Sequence, residues 1–80
     1  MDVNQIFNVI CEHIDDVLVL EDDQVITQAD SLAGLGANSI DRSEIIMMTL
    51  ETLELEIPLV ETFGPKNLGE LAQLLATKKN

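Results

Sequence analysis

Apolar residues recur at intervals of three and four along the first twenty residues of the chain. They are Val3, Ile6, Phe7, Ile10, Ile14, Val17 and Leu18. This spacing is typical of an amphipathic helix, because side chains three and four positions apart lie on one side of an α-helix. The acidic triplet Glu21-Asp22-Asp23 ends the pattern. We therefore predict a first helix between Asp2 and Leu20, with His13 on its solvated face and Cys11 on its apolar face.

A long connection follows, from Glu21 to Asn38. Long segments without regular structure are uncommon in compact domains. This one contains four apolar residues that predict packing against the core: Val25, Ile26, Leu32 and Leu35. Leu32 and Leu35 are three positions apart, which predicts a short turn capped by Asp30 or Ser31.

Helical periodicity resumes from Ser39 to Leu55. The Ile57-Pro58 pair ends it, because the residue before a proline is steered away from the helical region. Val60 to Phe63 fits one further helical turn, and Gly64-Pro65 stops that turn.

A last helix is predicted after Asn67, which with Glu70 forms a variant of the capping box. Its apolar stripe consists of Leu68, Leu71, Leu74 and Leu75. Lys78 and Lys79 lie at its end, where the helix dipole favours positive charge. The chain as a whole thus predicts an all-α fold: a small bundle of three main helices and one short helix, with a long first loop.

The charge balance narrows the range of partners. The 80 residues include 15 Asp or Glu against 4 Lys or Arg, which gives a formal net charge of −11. Such acidity argues against a nucleic-acid binder and against docking on an anionic membrane, because both are held by Lys and Arg. Partners with basic surfaces remain.

A chain of this length forms one domain, here residues 1–80.

The candidate chemical groups do not form a catalytic constellation. His13 is the only histidine and Cys11 the only cysteine, so neither a disulfide framework nor a cysteine-based zinc site is expected. Without a signal-peptide pattern or a long apolar run, the chain is predicted to be cytoplasmic. The triplet Glu21-Asp22-Asp23 lacks the ligand spacing of an EF-hand, although a metal-dependent acidic sensor stays an alternative. We expect no enzyme activity.

Ser39 is the residue with the clearest chemical potential. It follows the glycine-containing segment Leu35-Gly36-Ala37-Asn38 and opens the second long helix. Backbone N–H groups and the positive end of the helix dipole favour an attached phosphate at such a position. A serine at a helix start is equally explained as an N-cap.

The second helix also carries an unusual outward face. A helical wheel places Ile45, Ile46, Thr49 and Leu53 toward the core. On the opposite side it places Ile40, Glu44, Met47, Glu51 and Glu54. Apolar residues surrounded by charge suggest a docking surface, unless the loop or the short helix covers Ile40 and Met47.

These features together resemble an acyl carrier protein over essentially the whole chain. The family's Gly-x-Asp-Ser-Leu-type motif is occupied here by Gly36-Ala37-Asn38-Ser39-Ile40. The resemblance implies that Ser39 bears a covalent 4′-phosphopantetheine arm and that the acidic face of the second helix meets basic partner enzymes. Asp30-Ser31-Leu32 matches part of the motif, but Gly34 and Gly36 prevent a long helix from starting there. Ser43 lies one turn inside the helix, which makes it a less suitable attachment site than Ser39.

Two residues depart from the family pattern. Asn38 replaces the usual aspartate, and Arg42 introduces a cation that pairs either with Asp41 or with the phosphate of the arm, or alters the choice of partner.

The motif with Arg42 and Glu44, together with 66–71, resembles the free-standing donor carriers of polyketide β-branching cassettes. That resemblance implies malonyl or acetyl cargo. It also implies four partners: a phosphopantetheinyl transferase, an acyltransferase, a decarboxylating ketosynthase-like enzyme and a hydroxymethylglutaryl-synthase-like enzyme. The expected partner-binding residues are Asn38, Ile40, Asp41, Arg42, Glu44, Met47, Glu51 and Glu54.

A monomer is expected. Two alternatives to the donor function in β-branching stay open. One is a general fatty-acid, polyketide or aminoacyl carrier, and the other, from a different class, is a helical interaction module without a prosthetic group.

Overall fold

A computed structural model describes residues 1–79 and contains only helical elements within that range. Helix α1 spans Val3–Val17, α2 spans Ser39–Leu53, a short 3₁₀ helix spans Leu59–Phe63, and α3 spans Leu68–Lys79. The predicted all-α bundle of three main helices and one short helix is confirmed. None of these helices is long and apolar enough to cross a membrane.

The ends of α1 are set by local hydrogen bonds. Asp2 is the N-cap: its carboxylate accepts the backbone N–H of Gln5 at 2.8 Å, and the Gln5 side chain accepts the Asp2 N–H at 3.0 Å. Leu18 is the C-cap in an extended conformation. The helix therefore ends before Leu20, because Leu18 leaves the helical region although its side chain still packs on the core.

Helix α2 also ends earlier than its periodicity predicts, at Leu53 rather than Leu55. Glu54 adopts a left-handed conformation with φ 56°, which stops the helix before Pro58 acts. The Lys79 ammonium group donates to the Leu53 carbonyl oxygen at 2.8 Å. A cation from α3 thus satisfies a carbonyl group at the end of α2, where the helix dipole favours positive charge.

Aliphatic side chains from all three main helices form one core. The buried residues of α1 are Ile6, Ile10 and Ile14; those of α2 are Ile45, Ile46, Thr49, Leu50 and Leu53; those of α3 include Leu68, Leu71, Ala72 and Leu75. The four core positions predicted for α2 are all confirmed. The hydroxyl of the buried Thr49 donates to the Ile45 carbonyl oxygen at 2.8 Å. The core therefore accepts this polar side chain without leaving its hydroxyl group unpaired.

The long loop lies across the bundle as predicted. Leu32 is buried, and Ile26 and Leu35 pack against the core. The Ser31 hydroxyl oxygen accepts the Gly34 N–H at 3.0 Å and caps the turn. Val25 was predicted to be an anchor, and this is wrong: it is 77 % exposed, because the packed part of the loop begins only at the next residue.

The loop also caps the start of α3. The Asp30 and Gln28 carbonyl oxygens accept the N–H groups of Leu68 and Gly69 at 2.8 and 2.9 Å. The predicted N-cap Asn67 accepts the Glu70 N–H at 2.8 Å. Two first-turn donors of α3, the N–H groups of Leu68 and Gly69, are therefore satisfied by residues 38 and 41 positions earlier, and the N–H of Glu70 by Asn67, adjacent to the helix.

The prediction that His13 is solvated is wrong. Its side chain is 14 % exposed, its Nε2 atom lies 2.7 Å from the Thr52 hydroxyl oxygen, and its Nδ1 atom lies 3.5 Å from an Asp16 carboxylate oxygen. The polar flank of α1 faces α2, which the periodicity of α1 alone does not reveal. Cys11 is half-buried, and burial together with the Asp15 charge raises the pKa of its thiol.

Candidate functional site

The start of α2 is built by a glycine turn followed by a reciprocal cap. Gly36 has φ 98°, in the left-handed region that side chains disfavour. Asn38 is the N-cap: its side-chain oxygen accepts the Asp41 N–H at 2.8 Å, and the Asp41 carboxylate accepts the Asn38 N–H at 3.3 Å. Ser39 is consequently the first residue of the helix, and the interpretation that Ser39 itself is the N-cap is wrong.

This arrangement leaves the Ser39 hydroxyl available for chemistry. Ser39 is exposed, and its hydroxyl has no hydrogen-bond partner within residues 1–79. The other two serines nearby differ from it. Ser31 is half-buried and its hydroxyl already accepts the Gly34 N–H, whereas Ser43 is half-buried one turn further along α2.

A cavity of about 430 Å³ opens beside Ser39. It lies between α2, the short 3₁₀ helix, α3 and the long loop. Its lining residues are Ser31, Leu32, Ser39, Arg42, Ser43, Ile46, Thr62, Phe63, Lys66, Asn67, Leu68 and Leu71. The aliphatic lining residues are buried, other lining residues carry hydroxyl and amide groups, and the two charged lining residues are both cationic.

Neither of these cations is neutralised by the protein. Arg42 and Lys66 are exposed and take part in no ion pair within residues 1–79. The predicted alternative of an Arg42–Asp41 pair is therefore not realised; the Asp41 carboxylate accepts the Asn38 N–H instead. An anionic group attached to Ser39 fits this setting, because two unpaired cations line the same cavity and Ser39 lies at the positive end of α2.

The outward face of α2 forms a second, shallower depression. It is lined by Ser39, Ile40, Ser43, Glu44, Met47, Met48 and Glu51. Ile40 is 76 % exposed and Met47 is 59 % exposed, so the alternative that the loop or the short helix covers them is wrong. Glu54 is exposed as well, but it belongs to the C-cap rather than to the helix. We call the face formed by Ile40, Glu44, Met47 and Glu51 the outer face of α2.

The structure adds residues that the sequence patterns did not single out. Lys66, Phe63 and Thr62 line the Ser39 cavity from the segment between α2 and α3. Phe63 and Val60 are 60 % and 69 % exposed, an unusual degree for such apolar residues. The glycine and proline residues of that segment indicated a turn, but nothing in its spacing indicated what it approaches. Among residues 1–79, no group of three or more His, Cys, Asp or Glu side chains is placed to hold a metal ion.

Comparison with known sequences gives a consistent result. Residues 8–75 match the family described as "Phosphopantetheine attachment site". The chain is 47 % identical over 78 residues to the polyketide biosynthesis acyl-carrier-protein AcpK of Bacillus subtilis (strain 168), a match that spans 98 % of this chain and 95 % of that protein. It is 33 % identical over 69 residues to an acyl carrier protein of Clostridium perfringens (strain 13 / Type A), which spans 86 % of this chain and 91 % of that one.

A solved structure shows the same fold. It is the crystal structure of the curacin biosynthetic pathway HMG synthase in complex with acetyl donor-ACP. The matched chain superposes with a TM-score of 0.91 at 41 % identity, and the match covers 98 % of this chain and 100 % of that chain.

Proposed function

The chain belongs to the acyl carrier protein family, whose members carry acyl groups on a covalent 4′-phosphopantetheine arm, and we propose that the hydroxyl of Ser39 bears this arm. Members of the family are carriers and not enzymes. The observation that supports Ser39 is the free, exposed hydroxyl at the first position of α2, whose capping function has been taken over by Asn38. Ser31 and Ser43 are less exposed, and the Ser31 hydroxyl is already bonded.

The residues around Ser39 suit a phosphodiester. Arg42 and Lys66 supply unpaired positive charge, and the exposed position of Ser39 leaves room for a transferase to approach. When bound, the arm supplies a terminal thiol on which acyl groups are held as thioesters. The role of the chain is to position that thioester at successive enzymes and so raise its local concentration there.

The first prediction concerns the attachment residue. Incubation of the apo-protein with coenzyme A and a broad-specificity phosphopantetheinyl transferase adds one phosphopantetheine to the wild type, which intact-mass spectrometry detects. Ser39→Ala abolishes the addition because it removes the acceptor oxygen. Ser31→Ala and Ser43→Ala are the matched controls and retain the addition. Loading of Ser39→Ala at the wild-type level contradicts the assignment.

The donor role in polyketide β-branching is part of the same proposal. It is supported by the 47 % identity to a polyketide carrier and by the 41 % identity to a carrier crystallised with an HMG synthase as its acetyl donor. In this role the arm receives malonyl from an acyltransferase. A decarboxylating ketosynthase-like enzyme converts the malonyl group to acetyl, and a hydroxymethylglutaryl-synthase-like enzyme accepts the acetyl group. We place these steps in the cytoplasm, with the carrier as a monomer.

The outer face of α2 is the docking surface in this proposal. Ile40 and Met47 offer exposed apolar area, and Glu44 and Glu51 supply negative charge beside it. An apolar contact surrounded by charge favours fast, reversible association with a basic partner surface. The proposed contact region also includes Asn38, Asp41, Arg42 and Glu54, which cap or belong to the same helix.

The second prediction tests this surface and the donor role together. Acetyl-loaded holo-protein is offered to an HMG-synthase-like enzyme, and acetyl transfer is followed by mass spectrometry. Met47→Ala lowers kcat/KM for transfer about tenfold, or about 1.4 kcal/mol, because the few residues at the centre of an interface carry most of its binding energy. Val25→Ala, which alters an exposed apolar residue of the long loop outside the proposed contact region, is the control and leaves transfer unchanged.

Two outcomes contradict this prediction in different ways. Equal transfer by Met47→Ala and the wild type removes the outer face from the proposal. Equal transfer from a fatty-acid carrier of another organism removes the specific donor role and leaves a general carrier.

A further inference from the structure

The cavity beside Ser39 concentrates positive charge in a strongly negative molecule. The chain has four Lys or Arg residues against fifteen Asp or Glu residues, yet two of the four cations and none of the acidic residues line this cavity. The other two cations are engaged elsewhere: Lys78 lies 2.9 Å from a Glu61 carboxylate oxygen, and Lys79 donates to the Leu53 carbonyl oxygen. Arg42 and Lys66 have no such partner among the residues described. The two unpaired cations at this cavity are complementary to an anion.

The position of the two cations relative to Ser39 indicates which anion. Arg42 is three residues after Ser39 on α2, and residues at this spacing are neighbours on a helix surface. Lys66 reaches the same cavity from the segment that precedes α3. A phosphodiester on the Ser39 oxygen carries one negative charge and is fixed covalently to a residue that lines the same cavity as both cations.

We propose that Arg42 and Lys66 form an intramolecular clamp that binds the phosphodiester of the arm and directs the arm toward the cavity between α2 and α3. The inference rests on the proposed attachment of the arm to Ser39. The clamp joins α2 to the segment before α3 across the cavity, so loading of the arm ties together two parts of the bundle. It also keeps the base of the arm away from Ile40 and Met47, which leaves the outer face of α2 free for a partner.

The test compares the thermal stability of apo- and holo-protein. Melting temperatures are measured by circular dichroism for the wild type, for the double variant Arg42→Gln/Lys66→Gln and for the matched control Lys78→Gln, each as apo- and holo-protein. The holo-minus-apo difference falls by about 3 °C in the double variant, because two partly exposed contacts to an anion are lost. Lys78→Gln removes one positive charge that does not line the Ser39 cavity, so it lowers both melting temperatures equally and leaves the difference unchanged.

A spectroscopic measurement reads the contact directly. The Nε–Hε resonance of Arg42 in ¹⁵N-labelled protein shifts on conversion from apo to holo in the wild type. It shifts less when Lys66→Gln weakens the clamp, whereas Lys78→Gln has no effect on it. Holo-protein without an acyl group carries only the phosphodiester of the arm, whereas malonyl-loaded holo-protein carries an additional carboxylate. A comparison of the two samples therefore distinguishes binding of the phosphodiester from binding of the cargo.

Each outcome either supports or overturns the clamp. A holo-minus-apo difference that is equal in the wild type and the double variant, with no shift of the Arg42 resonance, overturns it. Changes that appear only with malonyl assign the two cations to the cargo and overturn binding of the phosphodiester. Intact mass on the same samples shows whether Ser39 carries the arm. Absence of the addition overturns the proposed function together with the clamp, whereas loading without the predicted changes overturns the clamp alone.

Discussion

Asn38 decides how Ser39 is presented. Its side chain caps α2 by accepting the Asp41 N–H at 2.8 Å, and its own N–H is bonded by the Asp41 carboxylate. This reciprocal bond satisfies two groups that a helix start otherwise leaves without partners. Ser39 is therefore displaced from the capping position to the first helical position, and its hydroxyl stays free. The replacement of the family's usual aspartate by asparagine keeps the cap and removes a charge.

The third prediction follows from the equal capping strength of asparagine and aspartate. Asn38→Ala lowers the free energy of unfolding by about 1 kcal/mol, because the Asp41 N–H loses its acceptor. Asn38→Asp retains the acceptor oxygen and stays close to the wild type. Chemical denaturation followed by circular dichroism measures both variants. A similar loss in both variants means that the amide group of Asn38, and not its oxygen, stabilises the helix start.

At the scale of elements, the long loop and α3 form one structural unit. The Gln28 and Asp30 carbonyl oxygens cap the first turn of α3, and this contact brings Gly69 against the loop. A Cβ atom placed on Gly69 lies 3.0 Å from the Gln28 Cβ atom and 3.3 Å from its carbonyl oxygen. Glycine at this helical position is explained by close approach of the loop.

The fourth prediction compares two glycines. Gly69→Ala gains helix propensity of up to about 1 kcal/mol, but it forces the loop outward at a typical cost of 1–3 kcal/mol. We expect a net loss of about 1 kcal/mol in the free energy of unfolding. Gly64→Ala is the control, since its Cβ meets nothing within 4 Å and its φ of −71° suits alanine. Stabilisation by Gly69→Ala indicates that the loop yields without cost.

At the scale of the whole molecule, the charge imbalance dominates. A net charge of −11 on a body with a radius of gyration of 11.5 Å produces strong self-repulsion. Among residues 1–79 the only carboxylate paired with a lysine or arginine is Glu61, bonded to Lys78. The remaining carboxylates repel one another, and this repulsion is greater in the compact folded state than in the unfolded chain.

The fifth prediction is that dissolved salt stabilises the fold. The Debye length falls from about 30 Å at 0.01 M to about 8 Å at 0.15 M ionic strength, so repulsion between distant carboxylates is screened. The melting temperature of the apo-protein therefore rises by several degrees over this range. A sucrose series matched in osmolality is the control for effects unrelated to charge. A melting temperature that does not depend on ionic strength contradicts a dominant role for repulsion.

The sequence by itself determined the features that depend on neighbours along the chain. Periodicity predicted the three main helices and the core positions of α2, and the motif from Gly36 to Ile40 predicted a serine at a helix start. The same helical wheel placed Ile40 and Met47 on the outward side of α2, and the structure decided that neither the loop nor the short helix covers them. These predictions succeed because helical spacing, glycine turns and side-chain caps act over only three or four residues.

Only the tertiary structure decided what distant segments bring together. His13 is predicted to be solvated, yet its side chain is mostly buried beside Thr52, because the flank of α1 that meets α2 is polar and carries no periodic signal. Lys66 lies in a turn without any motif, yet it lines the same cavity as Arg42 and Ser39. Such contacts depend on how helices cross and where loops return. Packing of the whole core sets that geometry, and no local pattern specifies it.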